Sequence, residues 1–261
     1  MEQDEKSITV NLDHYVENIE FPRLDAIDEL QGDQLVDEDS QCDFRSMVGK
    51  LGWLAKNARP DLGFDSLMLS TKVGKATAND FKQVVKIVKK LKAEPTDMKF
   101  QDLGSIVDWR IDGHGDAGYR SLPDKVSSCG SQVILITNKK TQMQCVVSWR
   151  CKKIKRVVSS STAAEALAAN DTLDEMFYIK EVLKEVIGID AESIPLELYT
   201  DSKNLYKSVM STSLNENPRL RTDVAKLQES LKVGELERLS LVSGVEILAE
   251  CFKKRELLQR N

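Results

Sequence analysis

From Phe44 onward the apolar residues recur at helical spacing. In FRSMVGKLGWLAKNA, Met47, Leu51, Leu54 and Ala58 fall four, three and four apart, the period of one helix face. Arg59-Pro60-Asp61 interrupts this run, because proline disfavours helix in the residue before it and suits the first turn of the next. A second helix is expected from Asp61 to near Val73. A third, DFKQVVKIVKKLK, turns Phe81, Val84, Val85, Val88 and Leu91 to one side and leaves Lys82, Lys86, Lys89 and Lys90 on the rest. Those lysines read first as a solubilising face and second as a contact to phosphates.

After AEPTD (Ala93 to Asp97) the period changes from helix to strand. QVILIT (Gln132 to Thr137) and QCVVSW (Gln144 to Trp149) are short β-branched runs joined by the turn-like NKKTQM, which predicts a hairpin. An earlier strand is expected from Ile106 towards Asp116. A long helix follows in STAAEALAANDTLDEMFYIKEVLKEVIGI, opened by Ser/Thr caps and closed by Gly188. LELYT (Leu196 to Thr200) is the next strand, and a helix begins at Asp201. Helical segments near Asp223–Leu231 and Val245–Leu257 flank a last strand, RLSLV (Arg238 to Val242). The order β-β-β-α-β-α-α-β-α predicts an α/β fold with a mixed sheet flanked by helices.

The first 43 residues have little periodicity. Ile8 to Phe21 could form one short strand or helix, and DAIDELQGDQLVDEDSQCD beyond it reads as a solvated loop or weakly ordered tail. This segment also explains the charge. The chain of 261 residues carries −5, yet residues 1–43 hold 14 Asp/Glu against 2 Lys/Arg, so the rest is +7. A mildly basic body is compatible with a polyanionic partner.

Hydrophobic residues at 41% and charged residues at 30% fit a globular protein of one ordinary domain plus a smaller one. No apolar run approaches the roughly 18–20 residues of a membrane span. The start, MEQDEKSITV, has neither the basic nor the apolar region of a signal peptide. Five widely spaced cysteines (Cys42, Cys129, Cys145, Cys151, Cys251) and two histidines (His14, His114) form no zinc-ligand spacing. They read as thiols in a reducing compartment.

Three carboxylates stand at places where burial would be costly without a task. Asp116 ends a predicted strand, Asp201 sits between a strand and a helix, and Glu165 lies in the first turns of an alanine-rich helix. Each has a plain alternative: Asp201 as a helix cap, Glu165 as a favourable charge near a helix start, Asp116 as a turn residue. Taken together, strand ends and a helix start can meet at one point, and magnesium-like cations take oxygen ligands. With two imidazoles in the whole chain, a Ser/His/Asp nucleophile does not compete. RCKKIKR (Arg150 to Arg156), leading into the Glu165 helix, is either a charged hairpin exit or a contact to phosphates through Arg150, Lys152, Lys153, Lys155 and Arg156.

The motifs GDAGYRSLPD (Gly115 to Asp124), VSWRCKKIKRVVSSSTAAEALA (Val147 to Ala168), LYTDSKNLYKSV (Leu198 to Val209), RLRTDVAKLQESLKVGEL (Arg219 to Leu236) and LAECFKK (Leu248 to Lys254) occur in this order. With them the chain resembles the C-terminal part of a copia-type retrotransposon Pol polyprotein. SMVGKLGWLAKNARPDLGFD resembles the segment connecting polymerase to nuclease, and ITVNLDHYVENI resembles the last piece of the polymerase. The resemblance implies an acidic N-terminal remnant (1–43), a small helical connection segment (44–100) and a ribonuclease H-like domain (101–261) with a mixed five-stranded sheet.

It further implies cleavage of the RNA strand of RNA–DNA hybrids with Mg2+ or Mn2+ held by Asp116, Glu165, Asp201 and Glu250. Glu250 stands where the family usually has Asp, and Gly115 where it commonly has Ser, an exchange expected to be minor. The polymerase Y-x-D-D is absent from the sequence. A non-catalytic module binding nucleic acid or a protein is therefore the second expectation. A retroelement product would act inside the cell, in cytoplasm or nucleus.

Overall fold

The computed structural model describes residues 2–3, 6–21, 27, 30–188, 194–212 and 217–249. The chain divides into two compact units, Met1–Lys99 and Phe100–Asn261.

In the first unit, strands β1 (Glu2–Gln3) and β2 (Ser7–Val10) pair antiparallel, and helix α1 (Asp13–Glu17) follows, so the Ile8–Phe21 stretch holds both a strand and a helix. Helix α2 runs Glu38–Asn57, starting six residues before the expected Phe44. The cause lies in the acids that read as solvated. Asp37 accepts from the Ser40 amide at 2.8 Å as N-cap, and Glu38 and Asp39 face the positive end of the helix dipole.

The expected second helix is a 3-10 turn, Pro60–Leu62, running into the shorter α3 (Gly63–Ser70). Helix α4 (Ala78–Ala93) opens with a reciprocal cap between Thr77 and Asp80 and buries Phe81, Val84, Val85, Val88 and Leu91, the residues its periodicity named. Its core also takes in Val16, Ile19, Ile27 and Val36. Ile27 (0% exposed) and Val36 (6%) lie within the stretch expected to be a solvated tail, which corrects that reading. The apolar residues here are few and set among carboxylates, and Val36 carries no period, yet its amide bonds to the Ala76 carbonyl at 3.1 Å. The acidic segment is thus packed into the helical unit.

Strand β3 (Met98–Gln101) leads to the second unit. There β4 (Trp109–Gly118), β5 (Cys129–Asn138) and β6 (Gln144–Lys153) form an antiparallel meander. Helix α5 (Ser161–Ile187) ends on Gly188, whose φ of +67° suits the left-handed C-terminal cap. Strand β7 (Leu196–Thr200) then pairs parallel with β4, helices α6 (Lys203–Met210) and α7 (Pro218–Lys232) follow, and β8 (Arg238–Leu241) pairs parallel with β7. The sheet order is β6-β5-β4-β7-β8. This is an α/β arrangement with a mixed sheet flanked by helices, as the pattern predicts, and its five strands are those that the resemblance implies. The expected last helix from Val245 is, over residues 245–249, a turn and a short 3-10 segment; its remainder lies outside the described residues.

One face of the sheet packs on α5. A Cβ on Gly113 would overlap Met176 Sδ, and one on Gly115 would meet Thr172 Oγ1 at 2.6 Å and the Ala168 carbonyl at 3.2 Å. These two glycines let helix and strand approach closely. The opposite face is covered in part by Ile247 and Ala249 against Val133 and Leu135.

Candidate active site

Asp116 lies within β4 and is 1% exposed, paired in register with Ser131 of β5. It is a strand residue, and the reading as a turn terminator fails. Parallel pairing of β4 with β7 runs from Ile111↔Leu196 to His114↔Tyr199. Carried two residues further, the same offset brings position 116 beside 201. Neighbouring strands lie about 4.8 Å apart, so the register sets Asp116 and Asp201 side by side.

Asp201 follows β7 directly and is half-buried. Capping of α6 falls to Ser202, whose Oγ accepts from the Leu205 amide at 3.3 Å. The cap reading of Asp201 therefore fails too. Glu165 is the fifth residue of α5, past the first turn, and the helix is capped by Ser160 through the Ala163 amide. At steps of three, four and four, Glu165, Ala168, Thr172 and Met176 form one stripe, the stripe that sits over Gly113 and Gly115. Close packing of α5 on the two glycines thus aims Glu165 at the end of β4.

The result is a cluster. One carboxylate oxygen each from Asp116, Glu165 and Asp201 lies within 4.8 Å of the others. An all-oxygen, three-carboxylate donor set fits a hard divalent cation such as Mg2+ or Mn2+. Glu250 lies outside the described residues. Its predecessor Ala249 is fully buried, and its carbonyl accepts from Ser131 Oγ at 3.0 Å, the cross-strand partner of Asp116.

The cations of the basic stretch lie at the surface, Lys152 half-buried and the others exposed, and four of them are paired. Arg150 meets Glu175 at 3.0 Å, Lys152 meets Asp171 at 3.0 Å, Lys153 meets Asp124 at 3.5 Å, and Arg156 bridges to Asp223. Lys155 is exposed. Two of these carboxylates, Asp171 and Glu175, stand four apart on α5, and nothing in the sequence connects them with the hairpin.

A buried polar row also goes beyond the sequence expectations. Arg110, Asp112, His114 and Asp116 alternate along β4, a period-two polarity that signals one shared face. Arg110 binds Asp112 at 2.5 Å and Glu197 at 3.0 Å, and Thr137 Oγ1 donates to Asp112 at 2.6 Å. His114 stacks on Tyr199 with ring centres 4.6 Å apart and planes 8° from parallel. Burial pushes the His114 imidazole down to about 4. Its Nδ1 lies 3.5 Å from the Leu248 amide that donates to it.

No family model matches the chain. Two Arabidopsis thaliana proteins do: the retrovirus-related Pol polyproteins from transposon RE2, 27% identical over 176 residues, and from transposon RE1, 28% identical over 176 residues. The chain is similar to copia-type Pol polyproteins. The match covers 67% of this chain and 11% of each relative, so the matched segment spans about a tenth of those Pol polyproteins' length.

Among solved structures, ribonuclease H1 from Halobacterium salinarum NRC-1 is 15% identical, with a TM-score of 0.37 over 54% of this chain and 90% of that one. LC11-RNase H1, isolated from compost, is 14% identical, with a TM-score of 0.40 over 55% of this chain and 91% of that one. Its complex with an RNA/DNA hybrid is 16% identical, with a TM-score of 0.35 over 51% of this chain and 84% of that one.

Proposed function

We propose that the second unit is a ribonuclease H-type endonuclease that cleaves the RNA strand of RNA–DNA hybrids with divalent metal held by Asp116, Glu165 and Asp201, and by Glu250 as fourth carboxylate. The observation that carries this reading is the convergence of three carboxylates from a strand, a helix and a strand end within 4.8 Å. The sheet order and the likeness to Pol polyproteins support the same reading.

The chain's own contribution is positioning. Asp116 and Asp201 are set by strand register, and Glu165 is set by helix packing, so the three oxygens are held together without loop closure. When bound, divalent metal lowers the pKa of an attacking water and offsets charge on the leaving oxygen. Arg150, Lys152, Lys153, Lys155 and Arg156 are the proposed phosphate contacts. Four of them would exchange a carboxylate partner for a phosphate on binding, which makes affinity depend on salt.

The test is cleavage of an end-labelled RNA–DNA hybrid in Mg2+ and in Mn2+. Wild type should cut the RNA strand, and Asp116→Asn should abolish cutting while the fold is kept. A folded wild type that leaves the hybrid intact in both metals refutes the proposal.

A further inference from the structure

The loop that leaves β4 just past Asp116 carries two cations that the basic stretch does not include. Arg120 and Lys125 are exposed, and among the described residues neither forms an ion pair. They differ in this from Arg150, Lys152, Lys153 and Arg156, each of which already faces a carboxylate.

Both residues also hold left-handed backbone conformations, with φ of +51° at Arg120 and +56° at Lys125. Glycine takes that conformation freely, whereas long side chains disfavour it. A fold that needed only a turn would be better served by glycine at both positions. Arg and Lys at sites their backbone disfavours point to a use for the side chains.

The loop is built to hold them. Leu122 is 1% exposed and anchors it, its amide bonded to the Ser127 carbonyl and its carbonyl accepting from the Lys125 amide. Asp124, the one carboxylate of the loop, accepts from the Ser127 hydroxyl at 2.6 Å and from the amides of Ser127 and Val126. It therefore serves the turn and Lys153, leaving Arg120 and Lys125 uncompensated. The Arg120 amide donates to Ser128 Oγ at 3.0 Å, and its guanidinium lies over the Tyr119 ring at 5.1 Å. Tyr119 in turn donates its hydroxyl to the Ser159 carbonyl at 3.2 Å, beside the start of the helix bearing Glu165.

Placement relates the pair to the carboxylate cluster. Strands β4 and β7 run parallel, so the 119–128 loop and Asp201 leave the same end of the sheet. Arg120 stands four positions after Asp116, a chain distance of at most about 14 Å. Guanidinium presents a planar fork of donors that matches a phosphate, and a stacked guanidinium loses little freedom on binding.

We propose that Arg120 and Lys125 form a phosphate clamp that holds the nucleic-acid strand a few nucleotides from the Asp116–Glu165–Asp201 cluster. This inference rests on the ribonuclease H reading. The clamp grips the sugar–phosphate backbone and reads no base, so it raises affinity and fixes the strand's path without sequence preference.

Glycine variants test the clamp without threatening the fold, because both positions prefer glycine. Full-length wild type, Arg120→Gly, Lys125→Gly, the double variant and Arg120→Lys are titrated into a fluorescein-labelled RNA–DNA hybrid in EDTA across a salt series. Each Gly variant should melt at or above the wild-type temperature and bind several-fold more weakly at low salt. The slope of log affinity against log salt should become shallower by about 0.7–0.9 for each cation removed from a phosphate. Arg120→Lys should keep the wild-type slope.

Gly variants that bind with wild-type affinity and slope overturn the clamp alone. Weaker binding with an unchanged slope overturns it as well, since that is a shape effect and not neutralisation of a phosphate. A folded wild type that binds no hybrid at low salt overturns both the clamp and the reading beneath it.

Discussion

Gly115→Ala probes the device that aims Glu165. The added Cβ would stand 2.6 Å from Thr172 Oγ1, roughly 0.8 Å inside ordinary contact, and 3.2 Å from the Ala168 carbonyl. Thr172 is fully buried, β-branched and bonded through Oγ1 to the Ala168 carbonyl at 2.7 Å, so its rotamer has little room to change. The strain passes to the separation of α5 from β4. Overpacking of this kind costs about 1–3 kcal/mol. At about 2–4 °C per kcal/mol for a unit of this size, melting should fall by roughly 2–12 °C. Glu165 lies on the same helix stripe, and displacement of a reacting group by an ångström can cost about 100-fold in rate. Hybrid cleavage at a temperature where both proteins are folded should therefore fall by about 10- to 100-fold. Adding Thr172→Ala removes the clashing oxygen and should recover part of both losses, with a coupling of about 1 kcal/mol or more in the melting cycle. A Gly115→Ala protein with wild-type melting and cleavage would refute the reasoning. The same geometry corrects the expectation that Ser at this position is a minor exchange: in this chain a Ser would bring a Cβ into α5.

Two further outcomes follow from the site's electrostatics and caps. His114 is held near 4 by burial while an unfolded histidine titrates near 6.5, so the unfolded chain binds the extra proton between those values. Stability should then fall as pH drops from 6.5 to 4, by roughly 3 kcal/mol at most from this group. His114→Phe keeps the stack on Tyr199 and should show a shallower melting-versus-pH curve in that window; equal curves would dismiss the effect. Ser202→Ala should cost about 1 kcal/mol through lost capping of α6. Asp201→Asn should leave melting unchanged or raise it, by relieving repulsion within the carboxylate cluster, while cleavage is lost. The reverse ranking in thermal melts would return the cap to Asp201.

The three acids are legible because each breaks a local pattern. A carboxylate closing the strand expected from Ile106, one following LELYT, and one inside an alanine-rich helix are all visible without coordinates. Helix faces are legible for the same reason, as in α4, where five named positions are all buried. What escapes is whatever depends on a partner element. Asp37-Glu38-Asp39 carries a helix-start signal, yet in a segment with 14 acids it reads as solvation. Leu24, Ile27 and Leu30 recur three apart, a run too short among so many carboxylates to read as a buried face, and Val36 has no such partner, so only the packed core reveals Ile27 and Val36. The basic stretch reads as available charge because Asp171, Glu175 and Asp223 lie 19 or more residues away and reach it only across α5 and α7.

Those partner-dependent features decide what the three acids can do together. Junction position explains why each carboxylate is unusual; it does not explain why their oxygens meet. Two independent constraints do. Strand register places Asp116 beside Asp201, and that depends on β7 pairing with β4 at an offset the sequence does not announce. Helix depth places Glu165, and that depends on Gly113 and Gly115 having no side chains. Either constraint could fail alone: a one-residue slip in β7 would turn Asp201 to the other face of the sheet, and a side chain at 115 would hold α5 away. The cluster is therefore a property of the packing between three elements, and its most sensitive point is a glycine that bears no charge.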